Sequence, residues 1–163
     1  MATSIYGTPV GVAYFDTSGR IYQAPVTGGT NSRRIMPEWA IEASLGGNAN
    51  VWKIFYCPVA PTATLKLNVF SIANATTGNA RLNVSWAAGA VGTNFDTVSL
   101  SSETVQSISW TTGNDYDVLS TKITLDATTA PTAGQLLFVQ FGYETASWTL
   151  AQVSYWSAFL IDE

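Results

Sequence analysis

Any chemistry in this chain must be done without histidine. The sequence contains none, so a Ser-His-Asp triad cannot be assembled, and the commonest metal ligand and general base is missing. The single cysteine, Cys57, has no imidazole to draw off its proton and no second thiol to pair with. On a strand it reads as a small buried hydrophobe. Two carboxylates are enough for glycoside hydrolysis, and Glu38, Glu42 and Glu144 fall on or beside strand-like segments, but each reads as a solvated residue of an outer face. The turn Asn114-Asp115-Tyr116-Asp117 crowds oxygen-bearing side chains together, and Asn114, Asp115 and Asp117 could contribute ligands to Ca²⁺. Its spacing is not that of an EF-hand, and Asx residues start turns by bonding their own backbone. We therefore expect a non-enzyme with no cofactor or metal.

Charge excludes further classes. Seven Lys and Arg stand against eleven Asp and Glu, for a net charge of −4. The basic residues are scattered apart from Arg33-Arg34, so the concentrated positive stripe that phosphate binding needs is absent and no nucleic-acid partner is expected. No apolar run reaches the roughly 18 residues of a membrane span, and the start MATSIYGTPVGVAYFD lacks a basic segment followed by an unbroken apolar one. A soluble product made in the cytoplasm is the expectation. Charged residues are only 11% of the chain, under half the roughly 25% of an ordinary domain. Self-repulsion is therefore weak, which favours an oligomer that hides apolar surface.

The elements that must position these residues are strands. From residue 36 onward, eight strand-like segments recur at short intervals. They run approximately Pro37 to Ser44, Val51 to Val59, Thr64 to Ile72, Arg81 to Ala87, Val105 to Trp110, Ser120 to Asp126, Gln135 to Tyr143 and Val153 to Ile161. Separators such as LGGNAN, AAGAVGTN and ATTAPTAG supply the Gly, Asn, Thr and Pro of turns. Period-two alternation predicts that Leu67, Val69, Leu82, Val84, Trp86, Ile123, Leu125, Val139 and Phe141 point inward. The result is an all-β fold, an eight-stranded antiparallel jelly-roll sandwich over residues 36–163. Residues 1–35 have no sustained period and read as an extended N-terminal arm or, equally, as a hairpin folded onto the domain. The seventh and eighth segments are apolar on both faces, as if covered by that arm or by another subunit. The stretch between Gly92 and Thr104 reads as a long loop crossing one end of the sandwich.

Six tryptophans are the most unusual feature. Most should be core or interface residues, since each buries a large apolar area; Trp148, in a loop-like setting, is the best candidate for an exposed contact. The triplets Asn74-Ala-Thr76 and Asn83-Val-Ser85 match the glycosylation pattern, which carries no weight without a secretory signal.

The ordered features Pro37-Glu38-Trp39, Leu82-Asn-Val-Ser-Trp86-Ala-Ala, Thr132-Ala-Gly-Gln-Leu-Leu-Phe-Val-Gln-Phe141 and Trp156-Ser-Ala-Phe-Leu-Ile161 give the chain a pattern that resembles the jelly-roll structural proteins of tailed bacteriophage particles. The resemblance implies a capsid cement or decoration subunit. Such a subunit binds the major capsid protein on the outside of the head lattice and stabilises the assembled state by mass action. It implies location in the virion and a homo-oligomer, a trimer in preference to a dimer. On that reading the contacts come from the arm, through Ile5, Tyr6, Tyr14, Phe15, Tyr22, Arg33 and Arg34, and from Trp148. The alternative is a carbohydrate-binding or receptor-binding module of a phage fibre or tail. It expects aromatic rings displayed on one face.

Overall fold

Side chains on a strand alternate between its two faces, so a strand with one apolar face is stable only when that face meets another. Two such sheets do so here. The computed structural model describes residues 4–5, 8–15, 21–22, 39–41, 50–61, 64–73, 77–100, 102–110, 118–126, 128–143, 148–150 and 154–162. Among them are strands β1 (Ser4–Ile5), β2 (Thr8–Phe15), β3 (Ile21–Tyr22), β4 (Trp39–Ile41), β5 (Asn50–Cys57), β6 (Leu65–Ala73), β7 (Gly78–Ala90), β8 (Ser102–Trp110), β9 (Val118–Thr124), β10 (Gln135–Tyr143) and β11 (Ser154–Asp162). The first sheet runs β3-β4-β11-β6-β9, with β1 also paired to β11; the second runs β2-β5-β10-β7-β8. All pairings are antiparallel. The fold is a jelly-roll sandwich, and each of the eight segments expected from residue 36 onward contains one of the strands β4 to β11.

Between the sheets lies one hydrophobic core. All nine residues expected to point inward are buried, Trp86 being the most accessible of them at 4%. Its ring fills the core while its Nε1 donates to Thr129 Oγ1 at 2.8 Å, which satisfies the one polar atom of the indole. Cys57 belongs to the same core, and burial pushes its thiol up to about 11.

The N-terminal residues supply strands to both sheets. β2 pairs along β5, with a register shift between Pro9 and Gly11. β3 pairs with β4, and β1 pairs with the end of β11. Because β6 occupies one edge of β11 from Ser154 to Asp162, β4 and β1 share the other edge. β4 reaches as far as Trp156 and β1 begins at Ile161. Lys53 fits the interval. Its side chain is fully buried on the inward face of β5, and its Nζ donates to the Ala158 carbonyl on β11. The ammonium also lies 5.1 Å from the Phe55 ring centre and 5.3 Å from that of Phe159. A buried cation needs such partners to offset the water it has lost.

The connection after β7 corrects one expectation. It does not simply cross an end of the sandwich: residues 91–100 fold back onto the second sheet, and the next strand starts at Ser102, three residues earlier than the alternation suggested. A single turn of 3-10 helix, Phe95–Thr97, forms within it.

Candidate functional site on the outer face of the second sheet

Inward positions of β5, β10 and β7 are spent on the core, so their alternate positions make up the outer face. Register aligns these positions in rows across the strands. One row is Trp52, Gln140 and Ser85; the next is Asn50, Gly142 and Asn83. In the opposite direction along the strands the rows are apolar, with Ile54, Phe138 and Ala87 followed by Tyr56, Leu136 and Gly89. The face therefore has a polar half and an apolar half. Trp52 stands at their boundary.

The loop 91–100 closes the apolar half. Thr93 is tied back to the Ala90 carbonyl through its backbone N–H (3.1 Å) and its hydroxyl (2.7 Å). Asn94 caps the 3-10 turn, its Oδ1 accepting from the Asp96 N–H at 3.0 Å, while the Thr97 hydroxyl donates to the Asn94 carbonyl at 2.9 Å. This pins the Phe95 ring 5.0 Å from Trp52 in an edge-to-face arrangement and 6.2 Å from Phe138, geometries favoured between aromatic rings. Gly89 permits the close approach, since a Cβ there would lie 3.0 Å from Phe138 Cε2 and 3.1 Å from Thr93 Oγ1. Phe138 is left only 2% exposed. At Phe138 the second apolar face of this strand, which the sequence suggested was covered by the arm or another subunit, meets Phe95 of the same chain.

Among the described residues, the polar half stays open. Asn50, Arg81, Asn83, Gln140 and Trp52 are half-buried and Ser85 is buried. Gly142 leaves a dip between the two asparagines, because a Cβ there would stand 3.1 Å from Asn50 Oδ1 and 3.5 Å from the Asn83 carbonyl. The Asn50 and Gln140 amides offer donors and acceptors together, beside an indole with its flat apolar surface, the Arg81 guanidinium, and Asn83, whose Oδ1 is buried. Such a set suits a hydroxyl-rich ligand with an apolar ring face.

Most of the other tryptophans are spent elsewhere. Trp39, Trp86 and Trp156 are core residues. Trp148 is half-buried, packs against the core with its ring 6.4 Å from Trp156, and donates from Nε1 to the Leu150 carbonyl at 3.0 Å. Its segment is pinned to the start of β7, where the Thr149 and Leu150 N–H groups both donate to the Asn79 carbonyl and Gly78 takes φ +125°, a conformation that strains any other residue, with a Cβ there 3.0 Å from Leu150 Cα. Of the expected arm contacts, Ile5, Tyr14, Phe15 and Tyr22 lie on β1, β2 and β3; Tyr6, Arg33 and Arg34 lie outside the described residues, as do Asn114, Asp115 and Asp117 and the carboxylates Glu38, Glu42 and Glu144. No group of three or more His, Cys, Asp or Glu that could hold a metal ion occurs among the described residues.

No protein-family model matches the chain, and no curated protein is detectably similar to it in sequence. Solved structures share its fold. A family 11 carbohydrate-binding module from Clostridium thermocellum, in complex with a β-1,3-1,4-mixed-linked tetrasaccharide, superposes with a TM-score of 0.50 at 10% identity, covering 97% of this chain and 96% of that one. The family 11 module of a cellulosomal cellulase of Clostridium thermocellum gives 0.51 at 10% identity over 98% and 94% of the two chains. An arabinose-bound α-L-arabinofuranosidase gives 0.52 at 11% identity, covering 96% of this chain but 26% of the enzyme. These likenesses are to carbohydrate-binding modules and a carbohydrate-active enzyme, and they overturn the expectation of a capsid cement subunit. The pattern of hydroxyl-rich strands and turns that suggested a phage jelly roll reports the sandwich itself, and many unrelated proteins use that scaffold.

Proposed function

We propose that the chain is a non-catalytic carbohydrate-binding domain that takes a glycan on the polar half of the second sheet's outer face. One observation carries the reading: a half-exposed Trp52 shares the polar half with three amides, Asn50, Asn83 and Gln140, around a glycine floor. An indole packs against the C–H face of a sugar ring, while amides bond the hydroxyls on its rim. The fold held in common with family 11 modules supports the same reading.

Affinity electrophoresis through gels containing mixed-linkage β-glucan, arabinan, galactan or xylan tests it. Retardation by at least one polysaccharide is expected, with retardation lost in Trp52→Ala and weakened in Asn83→Ala. Incubation with the bound polysaccharide should release no reducing sugar. Unretarded migration in all four gels, or full binding by Trp52→Ala, overturns the assignment.

A further inference from the structure

We infer that Phe95 determines how the site takes its ligand: it braces the Trp52 indole and closes the strand-parallel path, so that the site accepts a single soluble glycan chain lying across the strands. The inference rests on the carbohydrate-binding reading and extends it to the kind of ligand.

Two paths lead over a sheet face, along the strands or across them. The path along β5 and β10 meets the Phe95 ring, which stands over Phe138 and against Trp52. The loop carrying that ring is fixed by hydrogen bonds at Thr93, Asn94 and Thr97, so it is a wall already in place before any ligand arrives. The path across the strands follows Asn50, Gly142 and Asn83. With adjacent strands about 4.8 Å apart, the two asparagines are separated by roughly 10 Å, which suits a stretch of chain better than a single ring.

The floor of the face decides between a chain and a flat crystalline surface. On the open half of this face, Trp52 borders a dip at Gly142. A flat surface would bridge that dip and leave the amides buried without partners, at a cost for each.

An indole free to rotate would lose side-chain entropy on binding a sugar, and that ordering weakens affinity. The edge-to-face contact with Phe95 at 5.0 Å orders Trp52 in advance. Phe95 is thus a positioning residue, acting through Trp52.

The test measures calorimetric affinity for the polysaccharide retained in electrophoresis, and pull-down on microcrystalline cellulose, using wild type, Trp52→Ala, Phe95→Ala, Phe95→Leu and Phe95→Tyr. Phe95→Ala should weaken binding about tenfold, more than most interface side chains contribute. Phe95→Tyr, which keeps the ring, should restore affinity to within about threefold, and Phe95→Leu, which keeps bulk without an aromatic edge, should fall between them. Wild type should not sediment with microcrystalline cellulose. Wild-type affinity in Phe95→Ala while Trp52→Ala loses binding refutes the role of Phe95 and leaves the site standing. Sedimentation of wild type with crystalline cellulose refutes the single-chain geometry. Absence of binding to every polysaccharide overturns the site and this inference together.

Discussion

Gly142→Ala separates the site from the scaffold that carries it. The glycine's φ is not positive, so alanine can take the same backbone, and restricting the unfolded chain contributes about 0.4–1 kcal/mol of stability. Against this, the new Cβ would lie 3.1 Å from Asn50 Oδ1. The amide can turn away, at about 0.5–1.5 kcal/mol for an off-rotamer side chain. The two effects nearly cancel. A net change within about 1 kcal/mol moves the unfolding midpoint of a domain this size by no more than about 4 °C. Binding should respond differently, because the methyl fills the dip and turns Asn50 out of line. Losing one or two hydrogen bonds of about 0.5–1.5 kcal/mol each raises Kd roughly 2- to 150-fold. Isothermal calorimetry with the retained polysaccharide and differential scanning calorimetry on the same preparations give both numbers. Gly142→Val, with more bulk, should bind less still. Unchanged affinity in both variants would refute the assignment of Gly142 to the floor, and a midpoint drop above about 10 °C would show that the glycine is needed for packing instead.

Three further outcomes are expected. Trp86→Ala should cost about 3–5 kcal/mol, the range for emptying a buried aromatic site, whereas Trp86→Phe should cost less because half-exposed Thr129 can turn its hydroxyl to water; urea unfolding of the two variants compares them. Cys57, with its thiol raised to about 11, should react with a thiol reagent at neutral pH only on unfolding. The unfolded thiol ionises near its ordinary value of 9.0 while the folded one stays protonated, so the unfolded state binds fewer protons and stability falls between about pH 9 and 11. Cys57→Ala should flatten that part of the stability profile, as read by urea unfolding at each pH.

The strands were legible because their signal is local. Leu65, Leu67 and Val69 alternate with Lys66 and Asn68 in the sequence as they do in the sheet, and the nine residues expected inside lie inside. Lys53 was not legible as a core residue. It shares parity with Val51 and Phe55, yet a charged side chain ordinarily faces water, and the carbonyl that receives it lies 105 residues away. The site was less legible still. Asn50, Asn83, Gln140 and Gly142 are ordinary residues of three different strands, and only the register of β5, β10 and β7 brings them together. The one local hint was the triplet Asn83-Val-Ser85, whose first and last residues both lie on the outer face, though it drew notice for an unrelated reason. Phe95 was hidden by its turn-like setting, since Asn94 and Asp96 mark a loop without saying which way the loop folds.

The alternation that builds the sheet also partitions what selection can act on. Along β5 the sequence Asn50-Val51-Trp52-Lys53 hands successive residues to outer face, interior, outer face, interior, and β7 alternates likewise from the interior outward with Leu82-Asn83-Val84-Ser85. The proposed recognition surface and the core are thereby written in interleaved letters of the same strands. A library that randomises positions 50, 83, 85 and 140 while holding 51, 82, 84, 139 and 141 fixed would vary the outer face of this chain without reopening its interior. A sheet of this kind can diverge quickly in what it binds while remaining almost unchanged in how it folds.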